Sequence, residues 1–153
     1  MAINSDILNS LIPYFTKVLT ATLCGSIIGL ERELKKKAAG LRTMILICVG
    51  CTLMTIVSYK VSTSADPSRI IAQIITGVGF LGAGAVVKND DRVVGVTTAA
   101  FIWVIASIGI MIGVGEITAS IFLTLGMVFL SLLLNKVEDY IRKEKTTTNT
   151  TIK

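Results

Sequence analysis

Residues 93–115 read VVGVTTAAFIWVIASIGIMIGVG, twenty-three positions without a charged side chain, and that run decides the fold class. A helix rises about 1.5 Å per residue, so roughly 20 apolar residues cover the ~30 Å hydrocarbon layer of a bilayer. The run is long enough to cross. Outward from it, residues 117–134 follow almost without interruption and residues 70–87 precede it. Two more apolar runs stand at 43–59 and 7–30, the last broken only by Lys17. The reading is an all-α polytopic membrane protein with about five transmembrane helices. Composition agrees: 52% hydrophobic and 16% charged residues in a chain of 153 make one domain whose solvent is lipid. Residues 1–142 form that domain, and the polar stretch 143–153 is expected to be a disordered cytoplasmic tail. No basic cluster of a removable signal peptide opens the chain, so the first run is expected to stay.

Fifteen basic residues against ten acidic ones give a net charge of +5, but the cations gather beside apolar runs and so report topology rather than nucleic-acid binding. The loop after the first run and that after the third, with the tail, hold twelve of them; the other side holds only Lys17, Lys60 and Arg69. Cytoplasmic loops retain Lys and Arg, which places the N-terminus outside and the C-terminus inside. An odd number of crossings follows. The third run carries Gly77, Gly79, Gly82 and Gly84 within eight residues, each unfavourable in a helix by roughly 1 kcal/mol. Two alternatives stay open there, a continuous span or a broken or re-entrant one buried among the others.

The polar residues define the candidate site. Gly25 with Gly29 and Gly109 with Gly113 are G-x-x-x-G pairs that let helices approach closely, inside one chain or between two copies of a dimer. Asp66-Pro67 has the form of a helix start, a carboxylate capping free N–H groups, with Arg69 as its charge partner. Gln73 and Thr76 share a face at a depth where an unpaired amide is costly. Glu31, Arg32 and Glu33 lie just past the end of the first run, within reach of the Lys35 to Lys37 stretch and of Arg42. They serve as an interfacial anchor or as a grip on a cation or partner. Asn89 belongs to the only other acidic loop on that side, and Thr97 and Thr98 follow it, capping backbone or facing a polar cavity. Lys17 is expected to snorkel to the outer interface.

Histidine is missing, and Cys24, Cys48 and Cys51 all lie in apolar runs, so the C-x-x-C reads as small packing residues rather than a metal or redox motif. The carboxylates that remain candidates for a bound cation are Glu31, Glu33 and Asp66; its identity is open, and no cofactor is expected. With no nucleophile and base pair and no phosphate-binding lysine loop, an enzyme is not expected.

Five ordered motifs, Gly29-Leu-Glu-Arg-Glu33, Ala39-Gly-Leu-Arg-Thr43, Asp66-Pro-Ser-Arg-Ile-Ile-Ala-Gln73, Gly77-Val-Gly-Phe-Leu-Gly-Ala-Gly84 and Gly95-Val-Thr-Thr-Ala-Ala100 leading to Trp103, resemble the MgtC/SapB family of bacterial inner-membrane proteins over residues 20 to 115. The resemblance implies a five-span domain with a cytoplasmic C-terminus, in agreement with the charge count. It also implies a stress-adaptation factor linked to magnesium homeostasis that restrains membrane partners such as the F-type ATP synthase. By the same resemblance Glu31, Arg32, Glu33, Arg42, Thr43, Asp66, Arg69 and Gln73 carry the function, with the run from Gly77 to Gly84 and the stretch from Thr97 to Trp103. Against longer family members the sequence ends soon after the fifth run, so regulation through their ACT-like cytoplasmic domain is not expected here. The sequence also departs in Val96, where leucine is usual, and in Asn89-Asp90-Asp91, where a glycine-containing turn is usual. The alternative reading is a small dimeric ion or solute transporter whose polar path runs beside Gln73 and the glycine-rich third span.

Overall fold

The computed structural model describes residues 5–61, 66–89 and 92–150. Five helices follow one another, α1 (Ser5–Leu34), α2 (Leu41–Val61), α3 (Ser68–Gly84), α4 (Val96–Val114) and α5 (Ile117–Thr150), with a short hairpin, β1 (Val87–Asn89) and β2 (Arg92–Val94), between α3 and α4. Four of the helices, α1, α2, α4 and α5, are long and apolar enough to cross a membrane, and α3 is a shorter apolar helix. The chain is an integral membrane protein.

Three of the breaks between helices have a visible local cause. Lys36 adopts the left-handed conformation, φ 51°, and the N–H groups of Lys36 and Lys37 return to the carbonyls of Glu33 and Arg32 at 2.9 and 3.1 Å. This is the Schellman geometry that closes a helix end. Gly115, φ 117°, ends α4 in the same way, with the N–H of Glu116 on the Met111 carbonyl. Only residues 115 and 116 separate α4 from α5, which forces the two antiparallel. Gly95, φ 90°, starts α4 where a Cβ would stand 1.9 Å from the Ala85 carbonyl oxygen. No other residue fits both the space and the dihedral.

Lipid offers no hydrophobic drive between helices, so close packing of small residues must hold the bundle. Both G-x-x-x-G pairs are used inside the chain, and both against α2. A Cβ at Gly25 or Gly29 would meet the Ile45 or Leu41 Cα at 2.7 or 2.8 Å, and one at Gly109 or Gly113 would meet the Cys48 carbonyl oxygen or Thr55 Cβ at 2.5 Å. Hence α2 is clasped between α1 and α4. The buried core joins Ala21, Cys24, Ile28, Met44, Cys48, Ile105 and Ile112, while Phe15, Trp103, Phe122 and Phe129 are exposed on the outside of the bundle.

Three findings amend the sequence reading. The third span is neither broken nor re-entrant: α3 is continuous, and it ends beside α4, where Gly82 faces Ala99. A continuous helix satisfies its own N–H and C=O groups, and in lipid this outweighs the glycine cost. At 17 residues it extends roughly 26 Å. Asn89 and Arg92 of the acidic inner loop belong to a hairpin whose three-residue strands, paired Val87 to Val94 and Asn89 to Arg92, are too short to announce themselves by alternation; Asp90 and Asp91 lie outside the described residues. The α5 backbone continues as helix to Thr150 through most of the stretch expected to be disordered, for after Gly126 the sequence holds no glycine or proline to stop it.

Candidate functional site

Polar residues collect at the two ends of the bundle and along one groove. At the end where α1 stops, Glu31 and Arg32 are both buried, 8% and 2% exposed. Glu31 Oε1 accepts a hydrogen bond from the Ser131 hydroxyl of α5 at 3.0 Å and pairs with the Lys35 ammonium one turn along. Its Oε2 lies 3.7 Å from Arg32 Nη1, and the Arg32 guanidinium sits 4.2 Å over the centre of the Phe101 ring in α4. Arg32 Nε and Nη2 have no hydrogen-bond partner among the described residues. One carboxylate thus serves two cations in a region of low dielectric, and the ring face offsets part of the cost for the second. The cluster ties α1 to α4 and α5.

Glu33 does something different. Its Oε2 accepts the Leu41 N–H at 3.0 Å, capping the first turn of α2 as an N-terminal carboxylate should. A Cβ at residue 40 would overlap that oxygen, at 1.8 Å, so Gly40 and Glu33 form one device. Asp66 caps α3: its Oδ1 accepts the Ser68 N–H at 2.9 Å and its Oδ2 the Ser68 hydroxyl at 2.5 Å. These bonds, the hydroxyl one foremost, hold the Asp66 carboxyl below the usual carboxylate range, with a smaller contribution from Arg69. Glu31, Glu33 and Asp66 are therefore not brought together. Glu31 and Glu33 serve separate partners at one end of the bundle, and Asp66 stands at the other.

Lys17 has a specific partner in the fold. Its ammonium donates to the Gly113 carbonyl in the last turn of α4 at 2.7 Å, where the helix dipole and an unpaired carbonyl both favour a cation. Lys60 stands 4.5 Å over the Tyr14 ring at the same end. Lys17→Met is expected to destabilise the purified protein by about 1 to 2 kcal/mol in thermal or denaturant melts, with Lys17→Arg retaining most of the stability.

The groove lies between α2 and α3, a cavity of about 760 Å³ lined by Leu46, Ile47, Ile74, Val78 and Leu81 with Gly50, Gly77 and Gly84. Thr43 and Gln73 are its polar lining. On α3 only Val78 and Gly82 are buried, while Gly77, Gly79 and Gly84 meet nothing within 4 Å. Arg69, Gln73, Thr76 and Phe80, spaced as one helix face, are exposed. Arg42 and Thr97 are exposed also, Thr98 is buried, and Asn89 sits in β1 opposite Arg92.

Apart from Ser131, hydroxyls of the bundle interior bond to backbone. Thr52 donates to Cys48 and Gly109 carbonyls, both at 2.9 Å, Thr55 to Cys51 and Thr124 to Ser120. Gly109 seats between Cys48 and Cys51, so the C-x-x-C packs a helix, and all three cysteines are free and buried. Ser131 was missed in the sequence although a signal existed: Ser120, Thr124 and Ser131 form a polar stripe at helical spacing along an otherwise apolar helix.

Residues 18–140 match the model of the MgtC family. Among curated proteins the chain is 47% identical over 113 residues to the “Putative magnesium transporter YhiD” of Escherichia coli strain K12, an overlap of 69% of this chain and 52% of that one. It is 42% identical over 131 residues to an uncharacterised protein of Haemophilus influenzae, covering 79% and 55% of the two chains. It is 37% identical over 131 residues to Protein MgtC of Salmonella typhimurium, covering 86% and 56%. The chain thus spans about half the length of the curated relatives it matches. No solved structure matches it.

Proposed function

The chain belongs to the MgtC family, and on that footing we propose that it is an inner-membrane adaptation factor linked to magnesium homeostasis. It acts without enzymatic chemistry, by docking on membrane proteins of which the F-type ATP synthase is one candidate. The observation that carries this reading is the uncovered face of α3. Arg69 and Gln73 lie exposed on a helix within an apolar bundle, and an amide left facing lipid is unfavourable until another helix bonds it; the Thr76 hydroxyl on the same face donates to the Ala72 carbonyl at 3.0 Å. The interior of the bundle supports the same reading, because its hydroxyls, Ser131 apart, bond to backbone carbonyls instead of lining a path. The count of Lys and Arg by loop, twelve against three, supports a cytoplasmic C-terminus and an N-terminus outside.

A second reading, transport, draws on the name of the Escherichia coli relative and on Gln73 and Thr43 beside one groove. In it two copies meet along α3 and enclose a polar path. Photo-crosslinkers at Thr76 and Phe80, compared with Phe122 and Phe129 on lipid-facing α5, separate the two. The docking reading expects a distinct partner captured from the α3 positions alone, and no magnesium flux into liposomes containing the purified protein. Magnesium flux that Gln73→Ala abolishes would overturn it.

A further inference from the structure

We infer that the groove between α2 and α3 is a binding site for an anionic phospholipid, with one acyl chain in the groove and the phosphate at its basic end. This goes beyond the functional reading and does not rest on it. The groove extends along α3 from Ile70 to Gly84, roughly 21 Å of helix, which exceeds the ~15 Å depth of one leaflet. Its walls are apolar side chains and three glycines that leave space where side chains would stand. An acyl chain meets such walls without a polar group to satisfy.

Charge selects the headgroup and its end. Ala38, Ala39 and Thr43 line the groove where α2 begins, and their chain neighbours Lys36, Lys37 and Arg42 are exposed. Glu33, the carboxylate nearest in sequence, is engaged by the Leu41 N–H. At the opposite end, where Ile70 lies, Arg69 stands in the field of Asp66 and Lys60 over the Tyr14 ring. Among the described residues Lys36, Lys37 and Arg42 have no ion-pair partner, which leaves them to meet a phosphate as basic pockets between membrane helices do.

The test compares phosphatidylglycerol and phosphatidylcholine of identical chains, added to the purified full-length protein in mild detergent, by native mass spectrometry and thermal melting. Phosphatidylglycerol should be retained roughly thirtyfold more than phosphatidylcholine, the discrimination expected of two cations near a membrane surface. It should also raise the melting temperature. Lys37→Gln with Arg42→Gln should erase the preference between headgroups, and Gly77→Leu, which fills open space and leaves the fold intact, should remove both lipids from the site. Gly84→Leu repeats the second arm at another position. Equal retention of the two lipids, or retention unchanged by both leucine variants, would show an unspecific lipid annulus and overturn the proposal. Loss of a dimer in the leucine variants without change in bound lipid would assign the groove to a second copy and overturn it also.

Discussion

Gly109→Leu is expected to destabilise the protein by about 3 kcal/mol or more, and Gly77→Leu to leave its stability unchanged or raise it by up to about 1 kcal/mol. Both are glycines of apolar helices, and both substitutions add the same atoms. At Gly109 the first added carbon would lie 2.5 Å from the Cys48 carbonyl oxygen and 3.0 Å from Cys51 Cβ, both parts of the helix that α1 clasps from its other side. Neither is the far end of a flexible chain, so α2 must move away. Moving it also breaks the bond from the buried Thr52 hydroxyl to the Gly109 carbonyl, which leaves polar atoms unpaired in a dry interior. At Gly77 a Cβ meets nothing within 4 Å, so only the gain in helix propensity remains. Denaturant melts of the two variants in one detergent check the contrast. Similar losses for both would show that the seam between α2 and α4 is not tight.

Removing the buried carboxylate should hurt more than removing the buried guanidinium. Glu31→Ala leaves Arg32, 2% exposed, with no counter-charge in reach among the described residues, and an uncompensated buried charge costs about 3 to 5 kcal/mol. Arg32→Met leaves Glu31 bonded to Ser131 and paired with Lys35. It also puts an apolar chain of similar length against Phe101, an exchange that is often neutral. The expected order of stability is therefore wild type near Arg32→Met, with Glu31→Ala well below. Thermal melts rank the three directly. If Arg32→Met proved the worse variant, the guanidinium would have a further anionic partner and the accounting of charge at this end would be wrong.

Much of the architecture was legible before any coordinates. Five apolar runs became five helices, because a bilayer demands length and hydrophobicity of each segment and both are properties of consecutive residues. The caps were legible for a similar reason: Asp66 needs only the N–H groups two residues on. What was missed has a common origin. Lys17 was read as snorkelling to the interface, and its partner, the Gly113 carbonyl, lies ninety-six positions away in sequence. Glu33 was grouped with Glu31, yet adjacent carboxylates near a helix end point to different neighbours, one to α5 and one to α2.

Sequence alone determined the fold class, the family and the segregation of cations to one end, all of which follow from local runs and their order. The pairing of surfaces was decided by tertiary structure. A G-x-x-x-G pair carries no address, and only the assembled bundle shows that both pairs grip α2 while the glycines of α3 open on a groove. The physical reason is that hydropathy is summed along one helix, whereas close approach, capping at a distance and charge compensation are set by what stands across from each residue in space.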